Sequence, residues 1–148
     1  MKVLLLLLTF LVSKSHAQSD EAQVKGAIEM LFRGIRTADT ALMQTVLSPT
    51  ASLQTIAGPG GQETVQAEPI SRFLASIAKP HAEPYDEQIS FGAIHIDGAL
   101  ASVWTPYKFY VGTKFSHCGV NSFQLVKLNG AWKIHYIIDT RRKDGCLH

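Results

Sequence analysis

The C-terminal half of the chain alternates apolar and polar side chains with a period of two. Residues 115–142 read FSHCGVNSFQLVKLNGAWKIHYIIDTRR, and Asn129-Gly130 separates the two alternating runs of this stretch. Asn-Gly between two such runs is the strongest short-range signal for a β-hairpin. Turns of the same kind at Asp97-Gly98 and Gly112-Thr113 separate two further runs. The predicted strands are 88–96, 100–111, 114–128 and 131–140.

The N-terminal half repeats its apolar side chains at helical spacing instead. Ser19 can cap a first helix, and Asp39 can cap a short second helix that Pro49 ends. Pro69 opens a third helix. Between the last two, residues 51–56 read as a short strand, and the glycine-rich residues that follow, up to 68, read as a loop. Helices followed by consecutive hairpins predict an α+β fold, with the helices packed on a curved, mostly antiparallel sheet.

The first seventeen residues have the pattern of a secretory signal peptide. A basic start at Lys2 precedes a short apolar run and the small residues that end at Ala17. The apolar run is too short to span a bilayer. We expect cleavage after Ala17, a secreted or periplasmic protein, and a single domain over residues 18–148.

Removal of the leader changes the charge of the chain. Lys2 and Lys14 leave with it, so that twelve basic residues face twelve acidic ones. A domain that is close to neutral has no electrostatic attraction for nucleic acid or for an anionic membrane. We therefore expect neither as a partner.

The chain contains two cysteines, Cys118 and Cys146, in a compartment where disulfides persist. Two alternatives stay open: a bridge that needs the tail to fold back, or a buried Cys118 with a free Cys146. No metal-ligand spacing such as Cys-x-x-Cys or His-Glu-x-x-His occurs in the sequence. We expect no metal and no cofactor.

One face of the predicted sheet combines apolar and polar side chains. His117 and Asn121 put an imidazole and a carboxamide on a face that is otherwise apolar, which suits the wall of a ligand pocket. Pro106 cannot donate to the ladder, so a bulge there would bring Tyr107 or Phe109 into the pocket. The residues expected to bind a ligand are Phe91, Trp104, Tyr107, His117, Asn121, Phe123 and Tyr136. The alternative is a plain aromatic core with His117 hydrogen-bonded at its rim.

The most charged cluster is expected on the opposite face of the sheet. Asp139, Arg141 and Arg142 follow one another at the end of the last strand. As a structural element they would pair with the first helix or with a second subunit. As a functional element they would clamp an anion, because arginine matches carboxylate and phosphate. The expected outer position favours the structural interpretation.

The order of elements resembles the nuclear transport factor 2-like (NTF2-like, SnoaL-like) superfamily: three helices, a strand among them, and a four-strand meander. The segment HCGVNSFQLVKLNGAWKIHYIIDTRRK resembles the lumazine-binding-like branch of small secreted bacterial proteins. The resemblance implies a cone-shaped barrel closed by its helices, and a homodimer formed through the outer sheet face. The superfamily includes ketosteroid isomerases, polyketide cyclases and dehydratases beside members without catalysis, so the fold does not decide the function.

Three functional hypotheses follow. The first is a secreted, dimeric domain that binds an unknown small molecule without covalent chemistry. The second is an isomerase, cyclase or dehydratase acting on a carbonyl compound, in which His117 moves the proton. The third is an interaction module that uses the outer sheet face. The first is favoured, because Asn121 stands where many relatives carry aspartate and an amide cannot serve as a general base.

Overall fold

The computed structural model describes residues 19–58 and 61–147. The predicted leader lies outside the described residues. The helices are α1 (Asp20–Thr37), α2 (Thr40–Val46) and α3 (Ile70–Ile77). The strands are β1 (Leu47–Ala57), β2 (Thr64–Glu68), β3 (Tyr85–Ile89), β4 (Ile94–Asp97), β5 (Leu100–Val111), β6 (Lys114–Leu128) and β7 (Ala131–Thr140). In this part of the chain, no helix combines the length and apolarity needed to cross a membrane.

The first two helices begin at the residues that the sequence indicates. Ser19 Oγ accepts a hydrogen bond from Ala22 N at 3.3 Å, and Asp39 Oδ1 accepts one from Leu42 N at 2.9 Å. Each cap satisfies an amide that the first helical turn leaves without a partner. Pro69 is the N-cap of α3.

The sheet contains seven strands in the order β2-β1-β7-β6-β5-β3, and β4 pairs with another stretch of β5. β1 runs parallel to β7, and every other described pairing is antiparallel. The predicted α+β fold is confirmed. The sheet is curved but not closed into a barrel, because β2 and β3 remain edges in the described chain. Helix α1 packs on it through Val24, Ala27, Ile28, Leu31, Phe32 and Ile35, which are buried.

Two stretches differ from the predicted elements. The predicted strand 88–96 is divided into β3 and β4, and the loop predicted over 57–68 contains β2. The division follows from an irregular stretch in which Ser90 N donates to Pro106 O and Gly92 N donates to Trp104 O. These bonds keep the backbone against β5 without a regular ladder.

A β-bulge in β6 sets the register between β5 and β6. Phe109 pairs with His117 and Tyr110 with Phe115, so Ser116 is an extra residue in β6. One extra residue displaces all pairing beyond it by one position.

This displacement contradicts two predictions. Pro106 lies in register opposite Val120 and not in a bulge. Trp104, expected beside Asn121 on the inner face, lies on the outer face opposite Ser122 and is 49% exposed.

A second bulge lies in β7. Leu125 pairs with Ile134 and Gln124 with Tyr136, so His135 is an extra residue. Because successive side chains alternate between faces, the faces are exchanged for every residue beyond the bulge.

This exchange also contradicts predictions. Tyr136 was expected inside but lies on the outer face, where its hydroxyl donates to Gln54 Oε1 at 2.7 Å. Asp139 and Arg141 were expected outside but face the helices.

The C-terminal tail folds back onto β6. Cys118 and Arg142 exchange two backbone hydrogen bonds of 2.8 Å, one in each direction. Arg142 Nε donates to Gly145 O at 3.0 Å, which stabilises the reversal of the chain. Cys118 and Cys146 form a disulfide, with their Cα atoms 5.8 Å apart. Of the two alternatives for the cysteines, the structure therefore contains the bridge.

Candidate functional site

A pocket of about 890 Å³ lies between helices α1 and α3 and the concave face of the sheet. Its apolar wall includes Leu31, Phe32, Ile35, Leu53, Phe109, Phe123 and Ile137. Its polar residues include Thr55, Glu87, Tyr107, His117, Asn121, Asp139 and Arg141. Glu68, Arg72 and Lys79 also contribute to the lining, and the first two form an ion pair of 3.1 Å. A large apolar surface with a few convergent polar groups is typical of a small-molecule site.

Asp139 is the centre of a hydrogen-bonded cluster in the pocket. Thr55 Oγ1 donates to its Oδ1 at 2.5 Å, and Arg141 Nε donates to its Oδ2 at 2.8 Å. The hydroxyl of Tyr107 lies 3.2 Å from the same Oδ2 and 2.9 Å from the backbone oxygen of Thr140. The Asp139 residue is only 5% exposed. These partners offset the cost of burying its charge.

A second polar pair joins two other strands of the pocket wall. Asn121 Nδ2 donates to Glu87 Oε1 at 2.8 Å. Asn121 on β6 lies directly opposite Asp139 on β7, and Glu87 projects from the edge strand β3. The two acidic groups therefore lie in the same pocket but have different partners.

Gly119 makes room for the phenol of Tyr107. A Cβ atom at position 119 would lie 1.8 Å from Thr140 O and 2.8 Å from Tyr107 Cε1. Only glycine, without a Cβ atom, lets the Tyr107 ring lie across β6 and reach Asp139 and Thr140 on β7.

His117 belongs to the aromatic part of the wall. Its ring stacks on Phe109 with centroids 4.9 Å apart and meets the edge of Tyr107 at 5.7 Å. Its Nδ1 lies 3.1 Å from Ser116 Oγ. Burial lowers the pKa of His117, and the nearby Arg141 guanidinium lowers it further, so the ring is mainly neutral at pH 7.

The two acids of the pocket differ in their electrostatic environment. Burial raises the pKa of Glu87 from 4.5 to about 7, and the Asp139 carboxylate adds to this rise. The bond from Asn121 and the charge of Arg141 oppose it. Burial also raises the pKa of Tyr107, as do the Asp139 and Glu87 charges, so the phenol stays protonated. Glu87 can thus exchange a proton near neutral pH.

The structure brings together only some of the predicted ligand-binding residues. Tyr107, His117, Asn121 and Phe123 line the pocket. Phe91, Trp104 and Tyr136 do not line the pocket. Phe91 lies in the β3–β4 connection, with Lys25 Nζ 5.6 Å from its ring centre. Trp104 and Tyr136 lie on the outer face of the sheet. The predicted outer-face position of Asp139 and Arg141 is wrong. Both residues line the pocket, because the bulge at His135 exchanges the two faces of the strand. The functional roles of all these residues stay predictions.

Sequence reasoning missed Glu87 and Thr55. The residues just before the predicted strand 88–96 are assigned to no element in the sequence analysis, although Tyr85, Glu87 and Ile89 alternate with the period of a strand. A carboxyl group on the apolar face of such an alternation is the signal that could have found Glu87. Within residues 19–58 and 61–147, no group of three or more His, Cys, Asp or Glu side chains is placed to hold a metal ion.

Comparison with known proteins identifies the fold. No family model matches the chain, and no curated protein matches it in sequence. Among solved structures, an NTF2-like protein of unknown function from Shewanella baltica OS155 is 17% identical, with a TM-score of 0.66. The match covers 84% of this chain and 95% of that one. The chain has the NTF2-like fold.

Two further NTF2-like structures agree with this assignment. A protein of unknown function from Silicibacter pomeroyi DSS-3 is 15% identical, with a TM-score of 0.63 over 82% of this chain and 95% of that one. A protein with a cystatin-like fold from Novosphingobium aromaticivorans is 9% identical, with a TM-score of 0.69 over 85% of this chain and 83% of that one. Identities this low establish the NTF2-like fold alone, so the function has to be argued from the site.

Proposed function

We propose that the protein binds a small organic molecule in the pocket between α1, α3 and the sheet. The observation that carries the proposal is the combination of an aromatic and aliphatic wall with a convergent set of hydrogen-bonding groups. Phe109 and Phe123 can contact a flat apolar body, while Asn121, Tyr107 and Arg141 lie where polar substituents would need partners.

The proposed setting is extracellular or periplasmic. The leader pattern that ends at Ala17 supports export, and the Cys118–Cys146 disulfide suits an oxidising compartment. The lumazine-binding-like branch, to which the segment from His117 onward is similar, is proposed as the nearest group within the fold.

The test uses 2-naphthamide as an uncharged aromatic probe, with binding followed by isothermal titration calorimetry. Phe109→Ala removes an aromatic side chain from the pocket wall and is expected to weaken binding by about fivefold to tenfold. Trp104→Ala is the matched control, because it removes an aromatic ring from the outer face of the same strand. Equal losses in both variants, or no saturable binding to the wild type, would contradict the proposal.

A second candidate function is proton transfer at the carbon next to a carbonyl group. It is favoured by one observation, the carboxyl group of Glu87 in the pocket with a pKa of about 7. The Glu87 carboxylate would remove the α-proton, and Arg141 would donate to the oxygen of the resulting enolate. Asn121, which bonds to Glu87, would orient the base and would not itself accept the proton. His117, the base favoured from the sequence, is the competing assignment.

Exchange of the methyl protons of 2-acetylnaphthalene in D₂O, followed by NMR, tests this candidate. The rate is expected to rise with pH and level off above about 7, because the base is the ionised form of Glu87. Glu87→Gln should abolish the exchange while His117→Gln retains it. If only His117→Gln loses the exchange, His117 is the base. If the wild type exchanges these protons no faster than buffer does, neither Glu87 nor His117 is a catalytic base.

A further inference from the structure

The guanidinium group of Arg141 has more donors than its neighbours use. Arg141 Nε donates to Asp139 Oδ2 and Nη2 donates to Thr55 Oγ1 at 3.2 Å. Arginine carries five N–H donors, so three of them remain. Within the described residues, these three have no hydrogen-bonded acceptor, and the side chain is 53% exposed at the wall of the pocket.

The orientation of this guanidinium is fixed before any ligand enters. Thr55 both accepts from Arg141 and donates to Asp139, which closes a three-residue cycle of hydrogen bonds. A planar group held at two points presents its remaining N–H donors in a defined direction. Little conformational entropy is therefore lost when an acceptor binds there.

The carboxylate that neutralises Arg141 is much less accessible to a ligand than the guanidinium is. Asp139 accepts from Thr55, Tyr107 and Arg141, and it is 5% exposed. A ligand would thus meet the half-exposed guanidinium and not the buried carboxylate. A group that accepts two parallel N–H bonds and carries negative charge fits these donors best, and a carboxylate has both properties.

The other charges around the pocket do not repel an anion strongly. Glu68 is paired with Arg72, and burial raises the pKa of Glu87 to about 7, so a large fraction of it is neutral at neutral pH. Lys79 adds a positive charge to the lining. The aromatic side chains of Phe109 and Phe123 supply contact for the rest of the molecule.

We propose that the ligand is an organic acid, whose carboxylate binds the free donors of Arg141 while its apolar body lies along Phe109 and Phe123. The inference rests on the proposed function, because it names the chemical class of molecule that the same pocket takes. It also gives Arg141 a ligand-binding role beyond its ion pair with Asp139.

The experiment compares 2-naphthoate with 2-naphthamide, which have the same ring system and differ in charge. Calorimetric titration of the full chain is expected to show about tenfold or more tighter binding of the naphthoate, as charge-assisted bidentate bonds are stronger than neutral ones. Arg141→Gln should abolish this preference, so that the variant binds the two probes with equal affinity. Arg142→Gln is the matched control, because that side chain bonds to the tail at Gly145.

Removing Arg141 leaves the Asp139 charge without its ion pair and can destabilise the fold. The double variant Asp139→Asn/Arg141→Gln removes both charges together and gives the same comparison. A wild type that binds both probes equally, or a preference that survives loss of Arg141, would overturn the inference and leave the pocket function standing. If neither probe binds, the proposed function fails, and this inference fails with it.

Discussion

At the scale of single residues, the pocket depends on side chains whose positions are fixed by their neighbours. Asp139 is buried, and three side chains donate to it or lie within hydrogen-bond distance of it. Tyr107 can approach Asp139 only because Gly119 has no side chain. The polar part of the pocket is thus a connected network, and a change in one member alters the others.

Gly119→Ala tests the close approach of Tyr107. The new methyl group would lie 1.8 Å from Thr140 O, so a strand or the Tyr107 ring has to move. We expect the free energy of unfolding to fall by about 2–3 kcal/mol, as in other overpacked sites. Urea unfolding measures the change, and Gly26→Ala is the control, because a Cβ atom there meets nothing within 4 Å. An unchanged stability in Gly119→Ala would contradict the packing described.

Glu87 makes the stability of the fold depend on pH. Because burial raises its pKa from 4.5 to about 7, the folded protein keeps a proton that the unfolded chain releases. The contribution of Glu87 to the free energy of unfolding is therefore complete below about pH 4.5. It declines by about 1 kcal/mol per pH unit up to pH 7. The groups that surround it are Asp139, Arg141, Tyr107, His117 and Asn121.

Denaturant unfolding of the wild type and of Glu87→Gln, measured between pH 4.5 and 8, tests this prediction. The difference in unfolding free energy between the two proteins should change over pH 4.5–7 and stay constant above that range. A difference that is constant over the whole range would show that Glu87 titrates alike in the folded and unfolded protein.

At the scale of helices and strands, the sequence predicts the features that neighbouring residues determine by themselves, which are helix starts and hairpin turns. The helix starts at Ser19 and Asp39 follow from capping, and the hairpin at Asn129-Gly130 follows from its turn, where both residues have positive φ angles. His117, Asn121 and Phe123 of β6 line the pocket on the face where they were expected, because this strand carries the clearest alternation.

The register beyond the bulges could not be predicted in the same way. Ser116 and His135 are neither glycine nor proline, and nothing local distinguishes them from paired strand residues. Packing across the whole sheet decides where the two bulges lie. The extra residue His135 turns Asp139 inward and Tyr136 outward. The inward-facing positions were therefore predicted correctly on β6 and incorrectly on part of β5 and β7.

The Cys118–Cys146 bridge ties β6 to the tail and should stabilise the fold. The two residues are separated by 28 positions, for which loop-closure entropy corresponds to about 3.6 kcal/mol. We expect reduction with a thiol reagent to lower the unfolding midpoint in urea. The Cys118→Ser/Cys146→Ser variant should show the lower midpoint with or without reductant. A wild-type midpoint that does not respond to reduction, with the cysteines shown to be free, would contradict this prediction.

At the scale of the whole molecule, the sheet has two faces with different surroundings. The concave face meets the helices and the pocket, while the outer face exposes Trp104 by 49% and Leu100 by 50%. Exposed large apolar side chains on one sheet face are consistent with an interface to a second copy. The homodimer expected from the resemblance stays a prediction.

Analytical ultracentrifugation tests the dimer. Trp104→Glu places a charge on the outer face and is expected to convert a wild-type dimer into a monomer. Val111→Glu changes an exposed apolar residue of the same strand that lies on the pocket side of the sheet, and it should leave the dimer intact. A wild-type monomer, or a dimer that persists in Trp104→Glu, would contradict the expected interface.

The most direct test of a ligand site on the concave face is the NMR measurement of intermolecular NOEs between bound 2-naphthamide and the protein side chains. We expect contacts from the naphthalene ring to Phe109, Phe123 and Ile137, which line the pocket. Contacts to Trp104 and Tyr136 on the outer face, with none to the pocket side chains, would contradict it.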